Sequence, residues 1–142
     1  MIDGLTNSGS VPVLERAMQF AARRQELIAH NIANISTPKY QHVDVSVEAF
    51  QRSMGEALDR RRAGGNRAAF ELESTREVRV GDRGLELTPR TGSGGVLFHD
   101  RNNRDLERLM QAMVENLTVF RVASDLLKSR MDLLNQAIRE RF

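Results

Sequence analysis

The chain has 142 residues, and its 21 basic and 19 acidic side chains leave a formal net charge of only +2. This length provides material for one domain with a core but not for a second one. Cysteine is absent, which excludes a disulfide framework, a thiolate zinc site and a cysteine nucleophile. A nucleic-acid-binding protein usually shows a larger and more clustered basic excess, so the charge balance argues against that class.

The first predicted element is an amphipathic helix that begins near Ser10 and ends near Ile35. Serine can cap free backbone amides, proline at position 12 is tolerated in the first turn, and Pro38 disfavours helix at the residue before it. Apolar residues recur at spacings of three and four, which predicts a seam packed against a partner helix. The seam consists of Val11, Leu14, Met18, Ala21, Gln25, Ile28, Ile32 and Ile35. We expect the one polar member, Gln25, to fix the register of that packing rather than to bind a ligand.

The middle of the chain, residues 41–97, is polar and interrupted by glycine. Alternating valines from Val43 to Val47 resemble a strand, and helical spacing as far as Leu58 predicts a short amphipathic helix. A hairpin is predicted at 78–87, where two apolar pairs flank a glycine-bounded turn. Because the segment is poor in apolar residues, we expect it to bury little surface on its own and to order only against neighbours.

The C-terminal region predicts a second, longer helix that begins near Asn103 and runs almost to Phe142. Asparagine is a favourable N-cap, and Asp105 and Glu107 place negative charge in the first turn, where the helix dipole favours it. The apolar seam of this helix repeats at alternating spacings of four and three, as in a coiled coil. It consists of Leu106, Met110, Met113, Leu117, Phe120, Ser124, Leu127, Met131, Leu134 and Ile138.

The C-terminal helix also carries a second apolar row beside this seam, at about 100° per residue. Together the two rows cover more of the helix than one partner helix can bury, so we expect other subunits of an assembly to cover the rest. The alternative is that the middle segment folds back over the second row within the same chain. The row consists of Leu109, Ala112, Val119, Ala123, Leu126, Leu133 and Ala137.

These patterns predict a mainly α fold in which the N- and C-terminal heptad helices pack as an antiparallel or parallel coiled coil. A short, irregular, β-containing middle region connects them. The coiled-coil part comprises residues 1–40 and 98–142, and the Gly-interrupted middle comprises residues 41–97 with a short helix and a hairpin.

The sequence contains no pattern that indicates an enzyme or a cofactor site, so we expect neither. It contains neither a nucleophile elbow nor a glycine-rich phosphate loop. His42 and Asp44 lie two residues apart, but no further ligand converges on them by spacing, so we expect no metal site. An alternative function is a soluble coiled-coil adaptor that binds nucleic acid or a membrane surface through the basic cluster at residues 60–62 and Arg67.

Two segments carry a resemblance to a known family. Residues 31–40 read NIANISTPKY, which resembles the Asn-x-Ala-Asn-x-x-Thr-Pro-Gly-Tyr motif of the flagellar rod, hook and junction proteins. Residues 99–117 read HDRNNRDLERLMQAMVENL, which resembles the Asp-Gly-Asn-x-Val-x-x-Glu block that opens the family's C-terminal helix. The matching residues are Asn31, Ala33, Asn34, Thr37, Pro38, Tyr40, Asp100, Asn102 and Glu107.

The first motif also has a physical interpretation. Asn31 and Asn34 share a helix face near the end of the first helix, where their amides can satisfy the last free carbonyls or those of a neighbouring chain. Thr37 and Pro38 turn the chain out of the helix, and Tyr40 can anchor the exit by ring burial and a hydroxyl bond.

Three residues depart from the family pattern. Lys39 and Arg101 stand where the family usually has Gly, and Arg104 stands where it usually has an apolar residue. A left-handed backbone at Lys39 would be strained, because a side chain disfavours that conformation.

The resemblance implies a structural subunit of the bacterial flagellar basal-body rod, most similar to the proximal rod proteins. Such a subunit would polymerise through its terminal helices and transmit torque in the periplasm-spanning rod. It would be exported by the flagellar type III apparatus without a cleaved signal peptide. The implied partners are copies of the chain itself, other rod proteins, the rod adaptor FliE, the inner-membrane ring and the export apparatus. We expect neither nucleic acid nor a small-molecule substrate.

Overall fold

A computed structural model describes residues 9–65, 69–81, 84–91 and 105–139 of the chain. Two long helices at its ends pack against each other, and the region between them contains a shorter helix and short strands, as predicted. The elements in chain order are α1 (Val11–Ala33), β1 (Val43–Asp44), α2 (Val47–Ala63), β2 (Val78–Gly81), β3 (Gly84–Leu87), β4 (Arg90–Thr91) and α3 (Leu106–Arg139). Within the described part of the chain, every helix is too short or too polar to cross a membrane.

Both terminal helices differ from the prediction at their first residues. Ser10 is the N-cap of α1, but its side chain makes no capping bond because its backbone (φ −92°, ψ −6°) is already helical. A capping side chain normally requires an extended backbone. Helix α3 is capped by Asp105, whose Oδ1 accepts from the Arg108 amide at 3.1 Å. The predicted cap, Asn103, lies outside the described residues.

The two terminal helices run antiparallel. Asn116 in α3 bonds to Ala21 and Gln25 in α1, so the central parts of the helices meet. Asp105, directly before α3, lies near enough to His42, which follows α1, to affect its ionisation. The start of α3 therefore lies beside the end of α1. Because α3 has 34 residues and α1 has 23, the C-terminal part of α3 extends about 16 Å beyond α1.

The middle region supplies most of the buried apolar core, and the expectation that it would bury little is wrong. The rings of Phe20 in α1 and Phe50 in α2 stack with centroids 3.9 Å apart and planes 3° from parallel. Single apolar residues from separate segments complete the core, and such residues leave no periodic signal in the sequence. The core cluster comprises Phe20, Val45, Phe50, Met54, Ala57, Phe70, Leu72, Val78 and Leu85.

The predicted hairpin forms. Strands β2 and β3 pair antiparallel, with Val78 opposite Leu87 and Val80 opposite Leu85. Strand β3 starts at Gly84, which has φ +120° and lies against α1. A Cβ there would come within 3.3 Å of the Gln19 side chain, so glycine permits both the turn and the close approach. Strands β1 and β4 form a second, two-residue antiparallel pair.

Candidate assembly interface

The turn after α1 is organised by Asn31, whose side chain is almost fully buried, with 1% exposure. Its Nδ2 donates to the Val43 carbonyl at 2.7 Å, and its Oδ1 accepts from the Val43 amide at 3.1 Å. The same Oδ1 accepts from the Tyr40 hydroxyl at 2.9 Å. The side chain thus pairs with the backbone of β1 as a neighbouring strand would, and it fixes the path of the chain from α1 into β1.

Asn34 closes the last turn of α1. Both its backbone amide, at 3.2 Å, and its Nδ2, at 2.9 Å, donate to the His30 carbonyl. The Tyr40 hydroxyl lies 2.9 Å from Nδ1 of His30, and burial raises the pKa of this tyrosine. Asn34 therefore adds a second donor to a carbonyl of its own helix, whereas Asn31 bonds to β1 instead.

Lys39 has a left-handed backbone, with φ +64°, at the position where the family pattern has Gly. It is the one residue other than glycine with a positive φ in the described ranges. A side chain in this conformation costs roughly 1–2 kcal/mol relative to a right-handed backbone. Ala33, Thr37 and Pro38 in the same turn are exposed. The family motif thus forms an exposed turn whose path is fixed by the buried side-chain amide of Asn31.

The predicted seam of α1 faces the rest of the fold. Ile28 is 1% exposed, and the other seam residues selected as assembly candidates are half-buried. These half-buried residues are Leu14, Met18, Gln25 and Ile32.

The packed face of α3 is rotated from the predicted seam. Its buried residues are Leu109, Asn116 and Ala123, spaced seven apart. Met110 is 51% exposed, because it follows Leu109 and therefore points about 100° away from it. Ile138 is 49% exposed because it lies beyond the N-terminus of α1. The half-buried remainder of the predicted seam is Met113, Leu117, Phe120, Ser124, Leu127, Met131 and Leu134.

Asn116 is the interface residue that hydrophobic periodicity missed. It is 4% exposed, and its Nδ2 donates at 2.8 Å both to the Ala21 carbonyl and to Oε1 of Gln25. A polar residue does not score in an apolar heptad. Its position seven residues from both Leu109 and Ala123 is the signal that could have identified it.

The second family motif is only partly described. Glu107 is exposed in the first turn of α3, where its charge suits the helix dipole. Asp100 and Asn102 lie outside the described residues.

Asp44, one of the two residues considered as metal ligands, forms an ion pair instead. Asp44 accepts two bonds from Arg24, at 3.0 Å and 2.7 Å, which tie β1 to α1. In the ranges that the structure covers, His, Cys, Asp and Glu side chains form no group of three suited to a metal ion.

One side of α3 carries a row of exposed apolar side chains, which we call the ridge. Each member is between 51% and 53% exposed. In the described part of the chain, the hairpin packs against α1. Three members of the predicted second row, Val119, Leu126 and Leu133, stay exposed, so the described part of the middle does not fold over them. Exposed apolar rows of this kind mark interaction sites. The ridge consists of Val119, Val122, Leu126 and Leu133.

Comparison with known proteins gives one match to a family model and one to a curated protein. Residues 13–41, which comprise most of α1 and the turn after it, match the family model for the flagella basal body rod protein. The chain is also 31% identical over 78 residues to the flagellar basal body rod protein FlgB of Yersinia enterocolitica. That match covers 55% of this chain and 53% of the relative, so the chain spans about half the length of the protein it matches. These two matches support the interpretation of the chain as a flagellar basal body rod protein similar to FlgB, from the family that its terminal motifs resemble.

Proposed function

We propose that this chain is a structural subunit of the flagellar basal-body rod. It polymerises through its terminal helices, forms the proximal drive shaft and transmits torque. The observation that carries the proposal is the ridge on α3, an apolar surface left open in the single chain. The match of α1 and its exit turn to the rod family supports the same function.

The proposed location and partners follow from this function. The subunit is exported through the flagellar export apparatus without a cleaved signal peptide and resides in the periplasm-spanning rod. There it contacts copies of itself, other rod proteins, the adaptor FliE and the inner-membrane ring. Because an open helical array requires contacts between different surfaces of successive subunits, the interface is heterologous.

The packing of the terminal helices suits a part that carries load. Close-packed side chains resist sliding, as in other protein interiors. The Asn116–Gln25 bond adds a directional contact that forms in one register of the two helices. Torque applied to one helix therefore passes to the other without a shift between them.

A charge placed on the ridge tests the proposal. In the source bacterium, the gene would be replaced by a Leu133→Asp variant and, as a matched control, by an Asn135→Asp variant. Both residues are exposed on α3, and Leu133 belongs to the ridge. We expect Leu133→Asp to abolish swimming and to remove the subunit from purified basal bodies, while the isolated variant keeps the wild-type melting temperature.

The control variant is expected to swim and to be incorporated normally. Normal swimming of Leu133→Asp bacteria would overturn the proposal. Equal loss in the two variants would show that the ridge has no special role.

A further inference from the structure

We propose that the ridge of one copy docks into a groove between α1 and α3 of the next copy. This inference rests on the proposed function and assigns the two surfaces that meet when subunits polymerise.

The groove is an open apolar depression between the two terminal helices, with a volume of about 360 Å³. Most of its α1 wall is alanine, and such small side chains allow another helix to approach closely. It is lined by Ala21, Ala22, Gln25, Glu26, Ala29, Asn116, Leu117 and Phe120.

The groove and the ridge lie on opposite sides of α3. Leu117 lines the groove, and Leu126 on the ridge follows it by nine residues. At about 100° per residue, nine residues place two side chains half a turn apart. A contact between these two surfaces is therefore heterologous. Each added copy leaves its own ridge exposed, and the groove of a further copy can bind it. This geometry favours a second copy of the chain as the occupant of the groove.

The charges of the two surfaces are complementary. Glu26 lines the groove, and both oxygens of its carboxylate lie 3.4 Å from the exposed Arg23 guanidinium, at the long end of hydrogen-bond distance. Arg130 is exposed and lies four residues after Leu126 and three before Leu133, so it shares their side of α3. It makes no ion pair with any part of the chain that the structure describes. The ridge thus carries a cation where the groove carries an anion, which would set the register of docking.

The length of α3 also favours a second copy of the chain as the partner. The C-terminal part of α3 extends about 16 Å past the N-terminus of α1, and Leu133 lies on this extension. The chain's own α1 cannot cover it, whereas the groove of a neighbouring copy can receive it.

Cysteine cross-linking tests the docking, because the natural chain contains no cysteine. Bacteria would express Ala22→Cys, Leu126→Cys, or both substitutions in one chain. Basal bodies would then be purified and oxidised, and the subunits separated without reductant. We expect dimers and larger multimers from the double variant, at a level about tenfold above either single variant. The two sites of one chain cannot join each other, because Ala22 lines the groove beside Leu117, whereas Leu126 lies nine residues further along α3 and on its opposite side.

Each outcome bears on the proposal. Cross-linking of a single variant to itself would show a contact between like surfaces and would overturn the assignment. Incorporation of the double variant without cross-links would overturn the assignment and leave the proposed function intact. Absence of the wild-type subunit from basal bodies would overturn both.

Charge reversal provides an independent test. We expect Glu26→Arg and Arg130→Glu each to lower incorporation into basal bodies several-fold, and the two changes together to restore it. Arg52→Glu, at an exposed position on α2, which contributes to neither the ridge nor the groove, serves as the control and should have little effect. Failure of the double reversal to restore incorporation, with both single variants impaired, would contradict the predicted pairing. Single reversals without effect would contradict it as well.

Discussion

Asn116 on α3 donates a hydrogen bond to Gln25 on α1, with 2.8 Å between Nδ2 and Oε1, although 91 residues separate the two in the sequence. The same nitrogen donates to the Ala21 carbonyl, also at 2.8 Å. A displacement of the helices by one turn would leave this buried amide without partners, which is costly in an apolar setting. The polar pair therefore specifies the register of a seam that apolar residues alone would define only loosely.

We predict that Asn116→Ala lowers the free energy of unfolding by about 2 kcal/mol, because it deletes two buried hydrogen bonds and leaves Gln25 unpaired. A double-mutant cycle with Gln25→Ala should give a coupling energy of about 1 kcal/mol. Thr118→Ala is the control, since its hydroxyl bonds only within α3, and we expect an effect within about 0.5 kcal/mol. Urea unfolding measures all three, and a near-neutral Asn116→Ala would contradict the role of this residue.

The two asparagines of the family motif should differ in their contribution to stability. Asn31→Ala removes three hydrogen bonds from a buried site, so we expect a loss of about 3 kcal/mol. Asn34 is more exposed and bonds mainly to the end of its own helix, so Asn34→Ala should cost about 1 kcal/mol. Denaturant unfolding gives both values, and hydrogen exchange at the Val43 amide should accelerate only in the Asn31 variant. Equal losses would show that Asn31 does not hold β1 in place.

Replacement of Lys39 by glycine should stabilise the protein. The left-handed backbone at φ +64° disfavours a side chain, and glycine removes that penalty of about 1 kcal/mol, less a part lost to the greater freedom of the unfolded chain. Lys39→Ala keeps a Cβ and should therefore show no such gain. The comparison of the two variants by thermal and denaturant unfolding separates backbone strain from loss of charge. A gain of equal size in the alanine variant would exclude strain as the cause.

His42 should make stability dependent on pH. Its Nε2 is buried and has no hydrogen-bond partner among the residues that the structure describes. Burial lowers its pKa from the usual 6.5, while the nearby Asp105 carboxylate partly opposes the shift. A histidine with a lowered pKa in the folded state contributes stability that is present above its unfolded pKa. That contribution is lost as the pH falls through the folded value. We expect the free energy of unfolding to decline below about pH 6.5, and the decline to be smaller in His42→Gln.

Asp105→Asn provides the matched control for this titration. Asparagine retains the oxygen that caps α3 but removes the charge. The pKa of His42, followed by NMR, should therefore fall further in this variant. A rise would show that the carboxylate does not face the imidazole.

Elements with strong local signals could be predicted from the sequence. The paired terminal helices follow from spacings of three and four, and the β2–β3 hairpin follows from a glycine-bounded turn between apolar pairs. The family pattern, which has glycine at Lys39, indicated where a left-handed backbone would be strained, but it left open whether lysine adopts another turn type there. These features depend on contacts between near neighbours in the chain or on a repeated pattern.

Features that depend on contacts between distant segments could not be predicted in the same way. Phe50 lies on α2, whereas Phe70 and Leu72 lie in the segment before the hairpin, and all three join one core with Phe20 of α1. The packed face of α3 was also misplaced. Its buried residues include Leu109 and Ala123, which were assigned to the second row, and the polar Asn116, to which an apolar pattern gives no weight.

A side-chain-resolution electron microscopy map of purified basal bodies that contain this subunit would test the central claim most directly. We predict that Val119, Leu126 and Leu133 are covered by a neighbouring subunit while Asn116 stays bonded to Gln25 within one chain. A map in which the ridge faces water while the subunits make their contacts elsewhere would contradict the account.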